Sequence, residues 1–114
     1  MSNKIENVLY IRSANNSIPS INSQRLYGEN YAKQNSLHLS IIEDAHISGL
    51  TPINERSGLR WLIHLVEVGL IKTVIIDSYH RISRDLIELS SFLSLLKKHN
   101  AKLIVLVGGG EFDK

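Results

Sequence analysis

TVIIDSYHRISRDLIELSSFLSLLKKHNAKLIVLV, residues 73–107, carries the structural signal from which the rest of the chain can be read. Thr73 to Asp77 is β-branched and apolar, the composition of an interior strand of a parallel sheet. Ser78 to Ser83 is polar and reads as a loop. A helix starts near Asp85, with Leu86, Leu89, Leu93 and Leu96 as its main stripe. Phe92 and Leu95 widen the apolar surface beyond what one core contact requires, which points to self-association. Lys102 to Val107 is again a strand.

The same alternation extends toward the amino terminus. Val8 to Arg12 reads as a buried strand that enters a loop at Asn15, Asn16 and Pro19. Ser20 caps a helix that carries Ile21, Gln24, Gly28, Tyr31 and Ala32 at helical spacing and ends near Asn35. Gly28 inside it costs about 1 kcal/mol relative to alanine unless another backbone packs closely there. Leu37 to Glu43 suits a second strand, and Ser48, Gly49 and Pro52 mark a long loop. From Gly58 the residues Leu59, Leu62, Ile63 and Val66 form an amphipathic stripe that closes near Gly69. Trp61 and Leu65 lie off that stripe, as an interface or as a second core contact. Strands alternating with helices imply an α/β fold: three layers around a mostly parallel sheet of about four strands, with ligands at the carboxyl ends of the strands. Residues 1–107 form this domain. Residues 108–114 read as a Gly-rich flexible tail, because a phosphate-binding turn at Gly108 to Gly110 would need a helix after it.

Composition narrows the function. The 114 residues suit one domain, and 43% apolar with 21% charged residues suits a globular one. No apolar run reaches membrane length, and Met1 to Asn7 lacks the basic and apolar segments of a secretory signal, so a cytoplasmic location is expected. With no cysteine in the chain, disulfides, thiolate metal sites and thiol nucleophiles are excluded. Asp44 with His46, or Asp77 with His80, would be incomplete ligand sets, so neither a metal nor a cofactor is expected. A net charge of +2 does not by itself argue for nucleic acid. Position argues more: Arg12, Arg56, Arg81 and Arg84 fall at or near element ends, and arginine's planar fork suits phosphate.

Several segments, in order, resemble the catalytic domain of the resolvase/invertase serine recombinases. Tyr10-Ile11-Arg12-Ser13-Ala14 resembles the family's Tyr-x-Arg-Val-Ser, and Ser20-Ile21-Asn22-Ser23-Gln24 its Ser-Leu-x-x-Gln. Asp44-Ala45-His46-Ile47-Ser48-Gly49 is similar to Asp-x-x-x-Ser-Gly, and Arg56-Ser57-Gly58-Leu59 to Arg-x-Gly-Leu. The most specific is Tyr79-His80-Arg81-Ile82-Ser83-Arg84-Asp85 against Leu-Asp-Arg-Leu-x-Arg-Asp. The resemblance implies site-specific DNA recombination, whether integration, inversion or resolution. A serine would attack a phosphodiester, form a 5′-phosphoserine link without a metal, and be released when the free 3′-hydroxyl reverses the step. Arg12, Arg56, Arg81 and Arg84 would balance the phosphoryl charge, Gln24, Asp44, Ser48 and Asp85 would support them, and the partners would be DNA and a second copy of the chain. Arg81 to Asp85 also reads as a helix start, with Ser83 as N-cap and Asp85 in the first turn, and both readings can hold together.

The chain departs from this pattern at Ala14, which stands where the family has its nucleophilic serine. On a strand Tyr10, Arg12 and Ala14 share a side and Ser13 points to the other. Ser13 is the attacker if the strand breaks after Arg12; otherwise cleavage is absent and the domain dimerises or binds phosphate or DNA without cutting. His80 replaces an aspartate, exchanging an arginine-holding carboxylate for an imidazole.

Overall fold

The computed structural model describes residues 6–13, 18–48, 50–106 and 110–112. β1 (Asn7–Ser13) separates two cores by its alternation. Val8 and Tyr10 join a cluster with Leu59, Leu62, Leu65 and Val66 of α2 (Ser57–Glu67) and with Phe92 and Leu96 of α3 (Leu86–Lys98). Leu9 and Ile11 join Ile75 and Ile104 against Ile21 and Tyr31 of α1 (Ile18–Gln34). One helix therefore covers one face of the sheet and two cover the other. Each fully buried aliphatic side chain contributes roughly 1.5–3 kcal/mol to this arrangement.

The strand order is β2-β1-β3-β4-β5, with β2 (Leu39–Ala45), β3 (Thr73–Ile76) and β4 (Lys102–Val105) parallel to β1. β5 (Gly110–Phe112) pairs antiparallel with β4 on the outer edge. The four expected parallel strands are thus present with one more. Where the sequence reads as a flexible tail beyond residue 107, residues 110–112 instead satisfy the free edge of β4 with a backbone ladder.

α1 begins at Ile18, so Ser20 lies inside it instead of capping it. A Cβ on Gly28 would fall 2.5 Å from Leu9 Cδ2, so the glycine lets α1 lie against a side chain of β1. Leu65 is core, whereas Trp61 is 54% exposed. In α3 the stripe holds at Leu89, Leu93 and Leu96, which pack on the core, while Leu86 is 79% exposed; Phe92 is buried and Leu95 packs against the same core, so these two are core contacts and not surplus surface. None of the helices is long and apolar enough to cross a membrane, among the described residues.

Candidate phosphate site at the carboxyl ends of the strands

Four parallel strands end on one side of the sheet, and the end of β1 together with the segments after β2 and β3 brings candidate residues there. Asp44, near the end of β2, is the first anchor. Its Oδ2 accepts from the Tyr10 hydroxyl at 2.7 Å and from the Leu59 amide at 2.9 Å, and its Oδ1 accepts from the Gly58 amide at 2.8 Å. The carboxylate thus satisfies two amides at the amino end of α2, where the helix dipole also favours it, and pins that helix to β1. Gly58 is required for this approach, since a Cβ there would meet Asp44 Oδ1 at 2.6 Å. Burial and the adjoining Asp44 push the Tyr10 phenol well above its ordinary pKa, so it remains a neutral donor.

Arg12, Arg56 and Arg81 meet around one backbone segment. Arg12 donates from Nε to the Arg81 carbonyl at 3.3 Å, from one terminal nitrogen to the Ile47 carbonyl at 2.8 Å, and from the other to the His80 carbonyl at 2.9 Å. Arg56, fully buried, donates to the Thr51 carbonyl at 3.1 Å and to the same Arg81 carbonyl at 3.0 Å. Arg81 returns a bond to the Arg12 carbonyl at 3.1 Å, and its fork grips Asp77 at 2.7 and 3.0 Å. Burial first, then the charges of Arg56 and Arg81, lower the pKa of Arg12, so these cations repel one another at close range. An entering anion would relieve that repulsion. Arg84 is exposed and has no hydrogen bond or ion pair among the described residues, although its charge reaches both Arg12 and His80. His80 is exposed, and partial desolvation, followed by the charges of Arg84, Arg81 and Arg12, holds its pKa below the ordinary imidazole value.

The remaining candidates divide. Gln24 is fully buried and bridges α1 to β1, accepting from the Arg12 amide at 3.1 Å and donating to the Arg12 carbonyl at 3.0 Å. It fixes the backbone that carries Arg12. Ser48 is exposed in the loop after β2, where its hydroxyl accepts from the Leu50 amide at 3.1 Å. Among the described residues Asp85 holds no arginine; it is the N-cap of α3, accepting from the Ile87 and Glu88 amides at 2.9 and 3.4 Å. Ser83, read as that cap, sits two residues too early and accepts from the Asp85 amide at 2.9 Å. β1 does not break after Arg12. Ser13 pairs with Ala45, is only 2% exposed, and lies by alternation on the α1 face with Leu9 and Ile11. Ala14 lies outside the described residues.

Two carboxylates matter that sequence reading did not assign to the site. Asp77 holds the Arg81 fork; its four-residue spacing to Arg81 was the available signal. Glu88 joins the loops that carry the arginines, with Oε2 on the Ile53 amide and Oε1 on the Ser83 hydroxyl.

The α/β fold matches solved catalytic domains of serine recombinases. The C-terminal catalytic domain of ISC1926 TnpA, an IS607-like serine recombinase, is 26% identical with a TM-score of 0.81, over 91% of this chain and 72% of that one. The N-terminal catalytic domain of TP901-1 integrase shares the fold at 23% identity and a TM-score of 0.80, over 89% and 77% of the two chains. A resolvase family site-specific recombinase from Streptococcus pneumoniae shares it at 21% identity and a TM-score of 0.75, over 95% and 76%. The chain belongs to the family described as "Resolvase, N terminal domain", whose model matches residues 7–114. No curated protein matches it.

Proposed function

We propose that this domain cleaves and rejoins DNA in site-specific recombination, with Arg12, Arg56, Arg81 and Arg84 around the scissile phosphate. The observation that carries the reading is the convergence of the Arg12 and Arg56 guanidiniums on the single carbonyl of Arg81, with the charge of the exposed Arg84 reaching Arg12. Guanidiniums do not lose their protons at working pH, and rigidly held ones stabilise the charge that develops on a transferring phosphoryl group. Membership of the resolvase family supports DNA as the partner.

In this reading Ser13 is the attacker. Its Oγ–P bond forms as the P–O3′ bond breaks, the hydroxyl proton ends on the 3′ oxygen, and rejoining reverses both changes. Attack requires the last residue of β1 to leave its pairing with Ala45, which would bring the hydroxyl from the α1 face to the arginine side. Asp44, Gln24 and Asp85 support the site by holding α2, β1 and α3, while Ser48 orders the loop after β2. Self-association through helical apolar surface and a cytoplasmic location complete the reading.

The test is to trap the reaction on supercoiled DNA with denaturant and map any protein–DNA adduct by mass spectrometry. An adduct on Ser13 that is absent from Ser13→Ala is expected. Intact DNA with no adduct, while a control recombinase reacts, would overturn cleavage.

A further inference from the structure

We propose that Glu88 is a positioning residue for the arginine site, stapling the segment that leads into Arg56 to the loop that carries Arg81 and Arg84. The inference rests on reading that site as a phosphate holder.

Glu88 lies in the first turn of α3, three residues after the Asp85 cap, on a helix anchored in the core by Phe92 and Leu96. Its Oε2 accepts from the Ile53 amide at 2.9 Å, and its Oε1 accepts from the Ser83 hydroxyl at 2.8 Å. Ile53 opens the 3₁₀ turn Ile53–Glu55, which runs directly into Arg56. Ser83 sits between Arg81 and Arg84, and its oxygen also accepts from the Asp85 amide at 2.9 Å. One carboxylate therefore sets the distance between two loops separated by some thirty residues of chain, and the bond from Arg56 to the Arg81 carbonyl spans the same gap. Both oxygens of Glu88 face protein donors and not the guanidiniums, so its role is geometric. A side chain on a rigid helix that holds two connecting segments is what keeps a charge cluster within the tolerance a phosphate requires.

The geometry also defines a conservative replacement. A glutamine can accept from the Ile53 amide through its oxygen and donate to Ser83 Oγ through its nitrogen, because the Ser83 hydroxyl can turn to suit. Charge is then lost while the staple remains.

The experiment follows the Nε–Hε resonances of Arg56 and Arg81 by NMR in the whole chain, and in parallel measures affinity for a short DNA duplex at fixed salt. Glu88→Ala is expected to shift the Arg56 resonance toward that of a solvated guanidinium and to weaken duplex binding roughly tenfold, the scale of one lost charge-assisted hydrogen bond. Glu88→Gln is expected to restore both. Unchanged arginine resonances in Glu88→Ala, even with a lower unfolding midpoint, would overturn the inference, as would a glutamine variant that binds as poorly as the alanine one. If the unaltered chain does not bind DNA but Glu88→Ala still moves the arginine resonances, the phosphate reading fails and the positioning role stands.

Discussion

At the carboxyl end of the sheet Arg12, Arg56 and Arg81 turn inward and are held by backbone carbonyls and by Asp77. At the amino end Lys72, Lys97 and Lys102 line an open hollow of about 560 Å³ with Thr73, Asn100 and Ala101. Both regions are basic, and the first fixes its arginines in direction through several hydrogen bonds each. Arginine's fork can be aimed by hydrogen bonds from several elements, and here these come from the end of β1 and from the segments after β2 and β3. Lys72 and Lys97 are exposed, and a flexible ammonium in water keeps its hydration and its freedom. Charge alone therefore does not mark the site; desolvated and oriented charge does.

The contrast is most exposed to failure at Arg81. Arg81→Ala removes the fork on Asp77, leaving a buried carboxylate unpaired, and should cost about 3 kcal/mol of stability by urea unfolding. Lys72→Ala and Lys97→Ala should stay within about 0.5 kcal/mol of the original chain. Equal losses at the two ends would erase the distinction.

Gly58→Ala sharpens it, because the added methyl would press on the Asp44 carboxylate that seats α2. A loss of about 2 kcal/mol is expected in the same measurement, with Tyr10 released from its buried hydrogen bond. A neutral result would show that α2 can move without disturbing the arginine end.

Arg84→Ala should leave stability unchanged, since the side chain is exposed and has no hydrogen bond or ion pair among the described residues. Duplex binding should weaken, and its logarithmic salt dependence should become shallower by about one. An unchanged slope would remove Arg84 from the phosphate site.

The smallest effect is a pH dependence at His80. Its folded pKa is lowered, so the unfolded chain takes up the proton first, and stability should fall as pH drops through the ordinary imidazole range. His80→Gln should flatten that slope in pH-resolved unfolding. A phosphate bound among Arg84, Arg81 and Arg12 should raise the His80 pKa in an NMR titration, and a further decrease on binding would contradict the site.

Much of this was written in the chain order. The β-branched run at Thr73 to Ile76 and the stripes of α2 and α3 disclose a parallel α/β sheet because periodicity and burial share a cause. The arginines could be named because their motifs fall at strand and helix ends. What stayed hidden depends on tertiary geometry. The Glu88 bond to Ile53 crosses thirty-five positions, and β5 forms only because β4 offers an open edge. The Asp77 grip on Arg81 stayed hidden because an arginine fork needs the turn after β3 to bring Arg81 round, and the cap of α3 falls at Asp85, two residues after Ser83. The end of β1 was likewise decided by its partner, since Ser13 stays in the strand through its pairing with Ala45.

A crystal structure of the chain with a short DNA duplex tests the central claim most directly. A backbone phosphate held by Arg84 and by the Arg12, Arg56 and Arg81 cluster at the carboxyl ends of the strands is the predicted result. DNA seated instead on the Lys72, Lys97 and Lys102 hollow, with the arginines still closed on the Arg81 carbonyl, would contradict it.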